Sequence, residues 1–104
     1  MIEELNKILE MIKLLNQNIK KEIISKKRLK EEQVNINDFI ILQQNMKKSL
    51  EKLISIDKNK SEKILIGLSD LNMDLHNVVW HIEQLHELIK KMIIYYGEEI
   101  YEKK

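Results

Sequence analysis

An all-α fold is predicted for this chain of 104 residues, on two observations. Helix breakers are scarce: Pro is absent and Gly occurs twice, at Gly67 and Gly97. Apolar residues recur at alternating spacings of three and four over most of the chain, the mark of a helix buried along one stripe. The length suits a single helical domain over residues 1–104. The expected architecture is a three-helix or four-helix antiparallel bundle or coiled coil with a long C-terminal helix.

The first helix is expected over about residues 2–32. Its stripe is Leu5, Ile8, Ile12, Leu15 and Ile19, widened by Ile2, Leu9 and Ile23. Glu22 and Lys26 then fall on stripe positions, so the last third of this helix is expected to be loose. The segment from Gln33 to Asp38 is read as the first break, because Asn35, Asn37 and Asp38 are turn and capping residues. A second helix follows over about 38–56, with Phe39, Leu42, Met46, Leu50 and Leu53 inward. Asp57 to Lys60 forms the second break, and Ser61 is the N-cap of a third helix running to about residue 101.

The third helix carries two apolar faces. Its expected seam is Leu68, Leu71, Leu75, Val78, Ile82, Leu85, Ile89, Met92 and Tyr96. The phase holds through Gly67, so one continuous or kinked helix is the simplest reading. A break there, with Ser69 or Asp70 as a new cap, is the competing one, since an interior Gly costs about 1 kcal/mol relative to Ala. On the opposite side, Ile66, Met73, Trp80, Ile94 and Tyr101 share one heptad position, interrupted only by Glu87.

At 1.5 Å per residue the three helices would be roughly 45, 28 and 60 Å long. About the last 25 residues would then project past the first two helices. A large exposed apolar patch calls for a cover. The expected dimer seam is therefore Val78, Ile82, Leu85, Ile89, Met92, Ile93 and Tyr96, in a homodimer. The expected surface for a different protein is Met73, Trp80, Ile94 and Tyr101.

Charge is balanced overall at +1, but unevenly placed. Lys13, Lys20, Lys21, Lys27 and Arg28 would form a basic ridge on the first helix, with Lys7 in line. From Ile64 to Ile89 there are four acids and no Lys or Arg. A solvated face with ion pairs between helices explains this most simply. Docking of an acidic protein or a nucleic acid is the sharper reading; nucleic acid is the weaker of the two, because the ridge holds one Arg and no interleaved aromatic.

Several chemistries are poorly supplied. With no Cys there is no disulfide, thiol nucleophile or cysteine zinc site. No Gly-rich phosphate loop or nucleophile motif occurs. His76, His81 and His86 are five residues apart, about 140° around a helix, so one helix cannot aim them at one metal. Glu83 and His86 match the Glu-x-x-His spacing of di-iron bundles, but no second copy of that motif accompanies them. No apolar run approaches the ~18 residues of a membrane span. The expectation is a cytoplasmic, non-enzymatic protein without catalytic residues, cofactor or metal, and without a membrane partner.

The run Val34-Asn35-Ile36-Asn37-Asp38-Phe39, followed by Leu42, Lys47, Lys48, Leu50, Glu51, Lys52 and Leu53, carries a family resemblance. With the amphipathic helix before it, it resembles flagellar export chaperones of the FlgN and FliT type over about residues 2–55. The resemblance implies a C-terminal helix that binds the terminal helix of an export substrate. The function expected is stoichiometric binding of a protein partner, as chaperone, adaptor or inhibitor. The inhibitor form includes a phage-encoded, anti-CRISPR-like protein that blocks a host enzyme or defence system. The alternative is a nucleic-acid-associated regulator that uses the basic ridge.

Overall fold

The computed structural model describes residues 1–102. It is an all-α bundle of three helices with a long C-terminal helix: α1 (Ile2–Gln17), α2 (Lys26–Ser55) and α3 (Ser61–Glu102). The bundle is elongated, 66 × 24 × 19 Å.

The first break is not where the turn formers suggested. It lies between α1 and α2, and Gln33 to Asp38 is helical. Two local devices set the true break. Asn16, buried at the end of α1, accepts from the Ile23 and Ile24 N–H groups at 3.1 Å and donates to the Ile24 carbonyl at 2.9 Å. Ser25 then caps α2, its hydroxyl accepting from the Arg28 N–H at 3.1 Å. The cap is hard to read from sequence because Lys26, Lys27 and Arg28 follow it. Cations in a first turn oppose the helix dipole, and no acid sits there. In turn, Leu29, Glu32, Ile36 and Phe39 keep three-and-four spacing through the polar stretch and are all buried. Packing of that stripe outweighs the turn preference of three short polar residues.

The earlier break reverses the expected end of the molecule. A short α1 and a long α2 place the core among Leu5, Leu9, Ile12, Ile24, Leu29, Ile36, Phe39, Leu85, Leu88 and Met92. The three-helix section thus contains the C-terminal half of α3. The part that projects is the hairpin of α2 after Phe39 and α3 before Leu85. Among the described residues, no apolar side chain from 40 to 84 is fully buried.

α3 is continuous through Gly67. A Cβ added there would stand 2.9 Å from Leu53 Cδ1, so the glycine lets α2 and α3 approach closely. Gly97 has no such role: nothing lies within 4 Å of the place its Cβ would take. Gly97→Ala is therefore expected to stabilise the chain by about 0.5–1 kcal/mol through helix propensity, as a rise in the urea midpoint at unchanged m-value.

Candidate partner-binding surface

The inward line of α3 is Ile64, Gly67, Leu71, Asp74, Val78, His81, Leu85, Leu88 and Met92, each buried or half-buried. It differs from the sequence-derived seam at every second position. Leu68, Leu75, Ile82, Ile89 and Tyr96 stand to one side of it. Reading by hydropathy favoured these five over Gly67, Asp74 and His81, but the latter are tied in by closeness or hydrogen bonds. Asp74 accepts from the Ser49 hydroxyl at 2.6 Å. His81 Nδ1–H donates to the Asn77 carbonyl at 2.9 Å.

The displaced residues and their neighbours form a second stripe along the side of α3: Leu65, Leu68, Leu75, Val79, Ile82, Ile89, Ile93, Tyr96 and Ile100. It keeps three-and-four spacing over the helix, with Asn72 and His86 as its polar members. Most of it is exposed, with Leu65 64% and Ile93 65% accessible. Single exposed apolar residues are ordinary, but a periodic row of them is the pattern of a helix interface.

Near the C-terminal half this stripe borders α1. Ile8, Met11 and Leu15 of α1 face Ile89, Ile93 and Tyr96 of α3 across a groove of about 390 Å3, with Ile12 and Met92 at its base. Among the described residues the Tyr96 hydroxyl is the one polar side-chain group on its walls. Beyond it, Asn18, Ile19, Tyr95, Tyr96, Glu99 and Ile100 line a smaller depression. The Tyr95 hydroxyl donates to Glu99 at 3.0 Å there. Burial, reinforced by that carboxylate, raises its pKa above the ordinary phenol value.

The expected dimer seam is divided by this geometry. Leu85 and Met92 are 3% and 5% exposed within the core of one chain, and Val78 and Ile89 pack against that core. Leu85 and Met92 are thus consumed by α1, which lies where the C-terminal half of α3 was expected to stand alone. Ile82, Ile93 and Tyr96 remain accessible. Met73, Trp80, Ile94 and Tyr101 lie along a third line of α3 and are all exposed. Trp80 leans edge-on against His81 at 4.9 Å between ring centroids.

The basic ridge does not lie on one helix. Lys13 is on α1, Lys20 and Lys21 are in the linker, and Lys27 and Arg28 open α2. Lys13 is half-buried and donates to Glu10 at 3.2 Å and Gln33 at 3.4 Å. Arg28 points into the bundle, donating to Glu32 at 3.0 Å and to the Gln84 carbonyl at 3.1 Å. What stays exposed is a cluster at one end, Lys20, Lys21, Lys26 and Lys27.

The histidines are spread around α3. His81 is bonded to its own helix, and His86 Nδ1 lies 3.5 Å from Glu83. Among the described residues no three His, Asp or Glu side chains gather as a metal site would require. No described helix is long and apolar enough to cross a membrane. No family model matches the chain, and no curated protein and no solved structure matches it.

Proposed function

We propose that this chain is a stoichiometric protein-binding module that receives an apolar helix of its partner. The observation that carries the reading is the groove between α1 and α3, walled by Ile8, Met11, Leu15, Ile89, Ile93 and Tyr96. A helix laid in such a groove presents anchors at spacings of three and four, which the groove's own row would match. Two flexible features favour peptide over small-molecule binding: Met11 adapts its shape at little cost, and the groove is open along its length. Chaperone, adaptor and inhibitor are the forms of this activity. In the chaperone form the C-terminal helix holds the terminal helix of a client, as in flagellar export chaperones of the FlgN and FliT type. In the inhibitor form, phage-encoded or not, the groove takes a helix of the enzyme it blocks.

The test is affinity capture from the source cell with wild type, Met11→Asp and Ile93→Asp. Both positions are more than half exposed, so the fold should survive the change. A protein recovered in equimolar amount by wild type, and at least about ten-fold less by both variants at unchanged helicity, is the expected result. Equal recovery by all three proteins would remove the groove from the reading.

A second reading rests on the exposed cluster Lys20, Lys21, Lys26 and Lys27. As a nucleic-acid site it would give salt-dependent binding that is lost when these four become Glu, each phosphate contact contributing about −0.9 to the log–log salt slope on duplex DNA. The four lysines have no Arg and no aromatic residue interleaved with them in sequence, which is why protein binding is preferred.

A further inference from the structure

The groove that α1 occupies does not end with α1. On α2, Gln33 marks its wall: Gln33 Nε2 donates to Asn6 at 3.1 Å, and Lys13 donates to Gln33 Oε1. Residues seven apart on a helix nearly eclipse. The same wall therefore continues through Ile40, Lys47 and Ile54. On α3, Ile89 and Tyr96 form the other wall, and it continues backwards through Ile82, Leu75 and Leu68. These apolar continuations, Ile40, Ile54, Leu68, Leu75 and Ile82, are 36–66% exposed. The hairpin thus carries about 30 Å of groove with nothing in it.

We propose that a second copy of this chain fills it, the two hairpins packing antiparallel about a twofold axis into a four-helix bundle, with an α1 at each end. Two observations favour a second copy over an unrelated helix. The first is self-complementarity. When the row is reversed against itself, Leu65 stands opposite Ile82, Leu68 opposite Val79, and Asn72 opposite Leu75. Every apolar residue meets an apolar one except Leu75, which meets Asn72 of the other copy on either side of the axis. A polar residue beside the centre of an apolar seam is a device that fixes register.

The second is size. A two-helix face about 30 Å long and about 20 Å wide presents on the order of 600 Å2 before its corrugation is counted. That approaches the ~800 Å2 per partner of a standard interface. This surface is distinct from the groove walled by Met11 and Ile93, so either site can fail without the other.

The experiment combines mass and cross-linking. The chain has no cysteine, so each introduced thiol reports alone. Wild type is expected to sediment at twice the 12.5 kDa of one chain. Leu68→Glu, at a half-exposed position, is expected to sediment as a monomer with unchanged helicity. Asn72→Cys is expected to give a covalent dimer on mild oxidation, while Lys91→Cys, on the far side of α3, stays reduced. A wild-type monomer at tens of micromolar overturns the proposal. So does a dimer that survives Leu68→Glu, or one in which Lys91→Cys cross-links and Asn72→Cys does not.

Discussion

Replacing Arg28 by Ala is expected to destabilise the chain by about 3–5 kcal/mol. The cause is the carboxylate left behind. Glu32 is 0% exposed, on the inward stripe of α2. Its Oε2 accepts from Arg28 at 3.0 Å and from Asn35 at 3.4 Å, while Oε1 has no hydrogen-bond partner among the described residues. Among the described residues Arg28 is the only cation paired with it, and the same guanidinium holds the Gln84 carbonyl, tying the start of α2 to α3. Without Arg28 the buried charge has no counter-charge. Glu32→Leu is expected to act oppositely. It removes the charge together with its unsatisfied oxygen, and Arg28, at 22% side-chain exposure, can keep Gln84 and turn its remaining donors to water. Its cost is expected to stay within about 1 kcal/mol, or to be a gain. Urea unfolding of both single variants and the double variant checks this. The double should resemble Glu32→Leu, giving a large coupling between two residues in contact. A similar loss for both single variants would mean that the pair itself stabilises the fold.

Asn16→Ala is expected to cost about 2–4 kcal/mol, several times an ordinary side-chain hydrogen bond. One amide serves three backbone groups of the linker: the N–H groups of Ile23 and Ile24 and the carbonyl of Ile24. Ile24 is 1% exposed, so its groups lose their partner in a place that water reaches poorly. Asn16→Asp separates the roles. A carboxylate still accepts from both N–H groups but cannot donate to the Ile24 carbonyl, and it brings a buried charge. Both variants are expected to lower the urea midpoint. Amide exchange at Ile23 and Ile24 should quicken strongly in Asn16→Ala and less in Asn16→Asp. Unchanged exchange at these two amides would show that the linker is held by Ile24 packing alone.

Helical content, the second break and the continuity of α3 were legible in the sequence because they follow from local pattern; Ser61, expected as the cap, is instead the first residue of α3. Missing breakers and three-and-four spacing act within one or two turns. Asp57 to Lys60 combines several polar residues with a clear loss of apolar phase, so it reads as a turn. The first break was not legible for the converse reason. Its signals are a buried Asn whose three bonds reach seven and eight residues along the chain, and a Ser cap followed by the wrong charges.

The exposed surfaces were legible in kind but not in place. The lines through Trp80 and through Ile93 are both exposed, as a two-faced helix requires. Leu85 and Met92 lie in the core of one chain and not on a bare seam, because the first break falls earlier than the turn formers imply and α1 covers this part of α3. Moving about ten residues from the first helix to the second moves the bare end of α3 from its C-terminus to its N-terminal half. Likewise Gly67, Asp74 and His81 occupy inward positions that hydropathy gives to Leu68, Leu75 and Ile82.

The sequence by itself determined the class: amphipathic helices with few breakers within them, and more apolar helix surface than one short chain can bury. Periodicity and composition suffice for that, because each helix carries its own stripe. Only the tertiary structure decided which half of α3 is covered. That depends on where α1 ends, and α1 ends where Asn16 finds the backbone of Ile23 and Ile24 to bond. Such a contact exists only after the chain has folded back on itself. It therefore decides which apolar surface is left for a partner.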